Sequence, residues 1–240
     1  SICSHLIKKN PSYVAYCSSD LNLLDIYNQQ DSLPSLGEGS VSHSRPSIQL
    51  IVLISQFLWE PLDPNKVIGF LNLSVKPLNS SLAWRLANAL EDSPGIGGEP
   101  WQKAIDRYVK KEEDGEKKEK ALNNLKFIFE RTRYPKDAAP VEDIIELFSF
   151  VREYLSKRMA FDSDRSAFKV GYSVANDLCE LLGLIKLRKS SLSKLELENI
   201  LEDFIPQVEE VYRTEQVGRP NVISTCENIF SNIDTLVWYP

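Results

Sequence analysis

Cysteine and histidine are scarce in this chain, and their scarcity removes two kinds of chemistry. The four cysteines (Cys3, Cys17, Cys179, Cys226) form no Cys-x-x-Cys pair, and the two histidines are His5 and His43. A zinc site needs thiolates and imidazoles at close spacing, so no metal site is expected. Unpaired, scattered cysteines fit a reduced, cytoplasmic setting. Neither histidine accompanies a Gly-x-Ser-x-Gly elbow, so a hydrolase triad has no support. The sequence also lacks a Gly-x-x-x-x-Gly-Lys-Ser/Thr phosphate loop and a Gly-x-Gly-x-x-Gly turn between strand and helix. Nucleotide hydrolysis by this chain alone is therefore not expected, no cofactor is implied, and no acid, base and nucleophile assemble into an independent enzyme.

Long apolar runs are missing too. The longest, Ile48 to Trp59, is interrupted by Gln49, Ser55 and Gln56, and a membrane-spanning helix needs about 20 apolar residues. It reads as a buried helix, and no membrane partner is expected. Positive charge is in deficit: net charge is −6 and the sequence pI is about 5.2. Global attraction to nucleic acid is thereby excluded, and any DNA contact has to be local.

What remains is an ordinary globular composition, 42% hydrophobic and 26% charged over 240 residues, enough to bury a core without disulfides or metal. Tyr13–Cys17 reads as a buried strand; a helix capped by Asp20 and carrying Leu23, Leu24 and Tyr27 should follow, then a short extended stretch at Leu33-Pro34. Gly37–Pro46 reads as a loop, and Ser47 is the expected cap of the apolar helix to Trp59. Asp63-Pro64 supplies an N-cap and a first helical residue, and Ser80 or Ser81 should open a helix bearing Leu82, Leu86 and Leu90.

From Pro100 the pattern is helical, beginning with Trp101, Ile105 and Val109 on one stripe. The charge run Lys110–Lys120 reads as a solvated helix face or loop. Helices are expected over Leu122–Arg133, Val141–Lys157 and Ala167–Leu187, and Ser193 with Glu196 forms a capping box that opens one more, carrying Leu197, Ile200, Leu201 and Phe204. Asn221–Cys226 and Thr235–Tyr239 return to β character. A first residue other than methionine and an apolar stop at Leu236–Pro240 give the expectation of a piece of a longer protein.

The most distinctive local element is Pro94-Gly95-Ile96-Gly97-Gly98, between two helices. Backbone N–H groups beside a helix N-terminus can hold a phosphate. A plain interhelical turn, in which glycine supplies positive φ, is the other reading of the same residues.

Taken in order, Tyr13–Cys17, Leu23-Leu24-Asp25, Leu33-Pro34, then Gln49–Leu58 with Glu60-Pro61-Leu62-Asp63-Pro64, then Phe70–Val75 and the glycine loop resemble the second motor domain of superfamily I helicases of the UvrD, RecB and AddB kind. The loop with Trp101 is similar to AddB-type relatives whose helicase module has degenerated, often beside a RecB-like nuclease, in repair or phage defence. The resemblance implies a mainly α-helical α/β fold with a small, largely parallel RecA-like sheet built from both chain ends: residues 1–95 plus 215–240 as the motor-domain body, and 96–214 as a helical insertion. It makes the Val14 and Leu236 strands neighbours. It implies a non-catalytic fragment that contacts duplex DNA backbone through Gly95, Ile96, Gly97 and Gly98, with Arg85, Lys103 and Arg107 nearby, and that partners a first motor domain and a nuclease domain of its parent. Where active relatives carry a Thr-x-His-x-x-Lys-Gly motif, this chain reads Ile223-Ser224-Thr225-Cys226-Glu227-Asn228-Ile229, which implies lost coupling between ATP and DNA. The competing expectation is an acidic helical module that binds protein partners and no nucleic acid.

Overall fold

The computed structural model describes residues 14–17, 33–36, 45–93, 95–161, 165–205, 216–217, 221–223 and 235–238. Contacts divide the chain into two units, 1–41 with 209–240, and 42–208. The described residues are mainly helical, with eight α-helices.

Among the described residues the first unit holds three short strands, β1 (Val14–Cys17), β4 (Asn221–Ile223) and β5 (Thr235–Trp238). β1 is central and parallel to both neighbours: Ala15 pairs with Asn221 on one side and with Leu236 on the other. Strands from the two ends of the chain thus pair, and their parallel sense is compatible with the long connection between them, since parallel neighbours cannot be joined by a tight hairpin. Three strands of this length do not by themselves specify a RecA-like sheet. Leu33-Pro34, expected as a short extended stretch, joins no sheet among the described residues. Pro34 has no N–H to donate, and the next amide, Ser35 N–H, donates to Gln216 Oε1 at 3.0 Å while Gln216 N–H donates back to the Ser35 carbonyl at 3.2 Å. The helix expected after Asp20, the loop over Gly37–Ser44 and the degenerate stretch Ser224–Ile229 lie outside the described residues.

The second unit begins with α1 (Pro46–Ser55), which tightens into a 3-10 turn over Gln56–Leu58. Its N-cap is Arg45 and not Ser47, because Pro46 takes the first helical position, where its fixed φ fits and its missing N–H costs nothing. Ser47 is buried inside the helix. Ile48, Leu50, Ile51 and Ile54 are fully buried; such an apolar helix needs cover on several sides. α6 (Val141–Phe161) and α7 (Arg165–Lys186) pack on one another and both pack on α1. This packing groups residues 42–95 with the helical unit, so the division falls at 41/42 and 208/209 instead of 95/96 and 214/215.

α2 (Pro64–Asn72) opens as the sequence indicates, with Asp63 accepting from Asn65 N–H at 2.9 Å. α3 (Ser80–Asp92) is capped one residue earlier than expected: Asn79 accepts from Ser81 N–H at 2.8 Å, so both serines are helical. α4 (Glu99–Lys111) buries Trp101, Ala104 and Tyr108; Ile105 and Val109, expected in the stripe, are half-buried at its edge. The charge run is two helix ends around residues 112–114, with Asp114 capping α5 (Gly115–Phe129). Phe57, Phe70, Phe129 and Trp101 meet edge-on or tilted at centroid distances of 5.2 to 6.0 Å, joining α2, α4 and α5 to the end of α1. A two-stranded antiparallel ladder, β2 (Ala139–Pro140) with β3 (Ser191–Leu192), ties the head of α6 to the head of α8 (Lys194–Phe204).

Candidate nucleic-acid interface

α3 ends at Ser93, whose N–H donates to the Ala89 carbonyl at 3.1 Å. The chain then reverses within four residues: Gly98 N–H donates to the Gly95 carbonyl at 3.3 Å, and Gly97, third in the turn, has φ +80°. A positive φ at that position is what a type II turn demands, and only glycine adopts it at little cost. Gly98 is constrained by space, since a Cβ there would sit 3.3 Å from the Gly95 carbonyl oxygen. Both readings of the loop therefore share one geometry: a true turn that also delivers the chain into α4.

Gly98 is the N-cap of α4 and offers no side chain to the helix. Of the first backbone donors, Gly98 N–H serves the turn, Gln102 N–H bonds the Gly98 carbonyl at 3.0 Å, and Pro100 has none. Glu99 N–H and Trp101 N–H are what the helix presents at this end, with the positive pole of its dipole behind them. Gly95, Gly97 and Gly98 are exposed and Ile96 half-buried; Pro94 lies outside the described residues.

Charge near this end is mixed. Lys103 and Arg107 lie one turn apart on the exposed face of α4, but Lys103 is bound at 2.5 Å to Glu99 in the first turn of the same helix. That hydrogen bond holds the Glu99 carboxyl below its ordinary value. Arg85 sits half-buried on α3, packed beside α4, and its Nε is buried with no hydrogen-bond partner among the described residues. The structure thus sets the turn at the N-terminal end of α4 and Lys103 and Arg107 along the exposed side of that helix, and leaves Arg85 on the neighbouring helix.

Two clusters escape sequence reasoning, because each draws on residues separated in the chain. Arg131, its side chain 10% exposed, donates through Nη2 to the Asp143 carbonyl at 3.1 Å and to Glu146 at 3.5 Å, and lies 5.1 Å over the Phe127 ring. Burial pulls its pKa down. The Tyr134 hydroxyl donates to the Asp143 carboxylate, a bond that raises the phenol's pKa. The hydrogen bonds and the ion pair tie the segment after α5 to the head of α6, and the ring contact ties Arg131 back to α5, a structural role. The second cluster gathers Lys76, Lys117, Lys120 and Lys157 around one groove; the only sequence signal was the Lys110–Lys120 run, read as solvated.

Among the described residues no group of three histidine, cysteine or acidic side chains is placed to hold a metal ion, and no helix is long and apolar enough to cross a membrane. Comparison with protein-family models, with curated proteins and with solved structures found no match.

Proposed function

We propose that the chain is a non-catalytic piece of an inactivated superfamily I helicase-like protein, RecA-like in its end strands, that engages duplex DNA backbone where α3 turns into α4. The carrying observation is the glycine turn itself: it opens a helix with no side-chain cap, whose first N–H donors and dipole are of the sign that attracts an anion, with Lys103 and Arg107 along the exposed side of the same helix. The parallel placement of β1 between strands from the other end of the chain supports the kinship. A first motor domain and a nuclease domain are the partners this reading supplies. Glu99 opposes a phosphate, so contact requires Lys103 to exchange that carboxylate for DNA.

Duplex affinity measured by anisotropy against salt tests the reading. Each phosphate contact adds about 0.9 to the slope of log affinity against log salt, so Lys103→Gln with Arg107→Gln should flatten it by nearly two. Glu99→Gln should tighten binding. An unchanged slope in the double variant removes the site.

A second reading, an acidic helical module for protein partners, rests on net charge −6 and on Trp84, 62% exposed on α3. Exposed tryptophan is a recurrent anchor of protein interfaces. This reading predicts no salt-dependent duplex affinity.

A further inference from the structure

A groove of about 690 Å³ lies between residues 76–79, the first half of α5 and the second half of α6. Among the described residues, five cations line it, Lys76, Lys117, Lys120, Lys157 and Arg158, with one carboxylate, Glu153. In a chain of net charge −6, that local excess is not a sample of the average surface. Asp114 and Glu153 neutralise Lys117 and Lys157 in part, at 3.2 and 3.6 Å across exposed pairs, and such pairs hold their partners weakly. Lys76 turns its ammonium onto the Leu73 carbonyl. Burial lowers the Lys76 pKa, so an anion beside it would favour the charged form.

The apolar part of the lining is aromatic. Phe150 and Tyr154 stand one turn apart on α6, and Phe150 is backed by Phe127 at 4.4 Å between centroids. Phe161, at the end of α6, is 91% exposed. Cations that follow a backbone, interleaved with rings on which bases stack, are how unpaired nucleic acid is held without reading its sequence. An acidic peptide would answer the lysines and leave the rings unused; a duplex keeps its bases stacked inside.

We propose that this groove binds single-stranded nucleic acid, its phosphodiester backbone passing Lys76, Lys117, Lys120 and Lys157 and a base stacking on Phe161. The site is distinct from the turn between α3 and α4 and does not depend on it.

The test is anisotropy of a labelled oligothymidylate with the full chain. Phe161→Ala and Lys120→Gln alter exposed side chains and leave the core untouched. Phe161→Ala should weaken binding about fivefold or more, and Lys120→Gln should flatten the salt slope by about 0.7. Lys103→Gln with Arg107→Gln should leave single-strand binding as it is. The proposal is overturned if neither groove variant changes the affinity, if the α4 double variant abolishes it, or if a polyglutamate peptide displaces the oligonucleotide at equal concentration.

Discussion

Ser193 and Glu196 close the head of α8 reciprocally: the Ser193 hydroxyl accepts from Glu196 N–H at 3.2 Å and the Glu196 carboxylate accepts from Ser193 N–H at 2.9 Å. Lys189 adds an ion pair to the same carboxylate. With the Lys189 hydrogen bond first among the causes, then the Ser193 bonds, the Glu196 pKa falls to about 2. An unfolded glutamate titrates near 4.3. A depressed folded value means the contribution is complete above that range and disappears as pH falls towards 2. Glu196→Gln should therefore lower Tm at pH 7 and flatten the dependence of Tm on pH between about 4.5 and 2, as followed by circular dichroism. This box was legible as Ser-x-x-Glu before an apolar run. Its coupling to Lys189 was not, because the lysine comes from the turn after α7. The cap of α3 misled for a simple reason: Asn79 precedes two serines, and any of the three could accept from the first turn.

At the scale of elements, α7 contains two glycines with opposite surroundings. A Cβ on Gly171 would fall 2.6 Å from Ser47 Cβ and 3.2 Å from Leu155 Cδ1, where α7 meets α1 and α6. At Gly183 nothing lies within 4 Å. Alanine in a helix interior is favoured over glycine by up to about 1 kcal/mol, while overpacking a filled core costs about 1–3 kcal/mol. The backbone of α1 and the buried Ser47 cannot retreat, so the clash wins at 171. Gly171→Ala should destabilise by about 1–2 kcal/mol, and Gly183→Ala should stabilise by up to about 1 kcal/mol, both read from urea midpoints. Helices α5 to α8 were legible because apolar residues recur every three or four positions. The same periodicity is silent about which neighbour comes close, so nothing in the sequence separates Gly171 from Gly183.

For the whole molecule, the pairing of Ala15 with both Asn221 and Leu236 was foreshadowed by β-prone apolar runs at the two ends of an otherwise helical sequence. The place where the helical unit begins was not. The helix now seen as α1 was read as part of the end body from its order in the chain, whereas its apolar surface on several sides is covered by α6 and α7, about a hundred residues later. The candidate turn was legible as a run of glycines, but not the Glu99–Lys103 pair that competes with an anion there. The groove was invisible, since its lysines lie on three separate segments.

The claim that the turn between α3 and α4 meets duplex backbone is tested most directly by an amide NMR titration of the full chain with a short DNA duplex. The Gly97, Gly98, Glu99 and Trp101 resonances should shift progressively and saturate together, and 0.5 M salt should reverse the shifts, on the order of what counterion release requires. If those four amides stay in place while the chain is saturated with duplex, the glycine turn is only a turn.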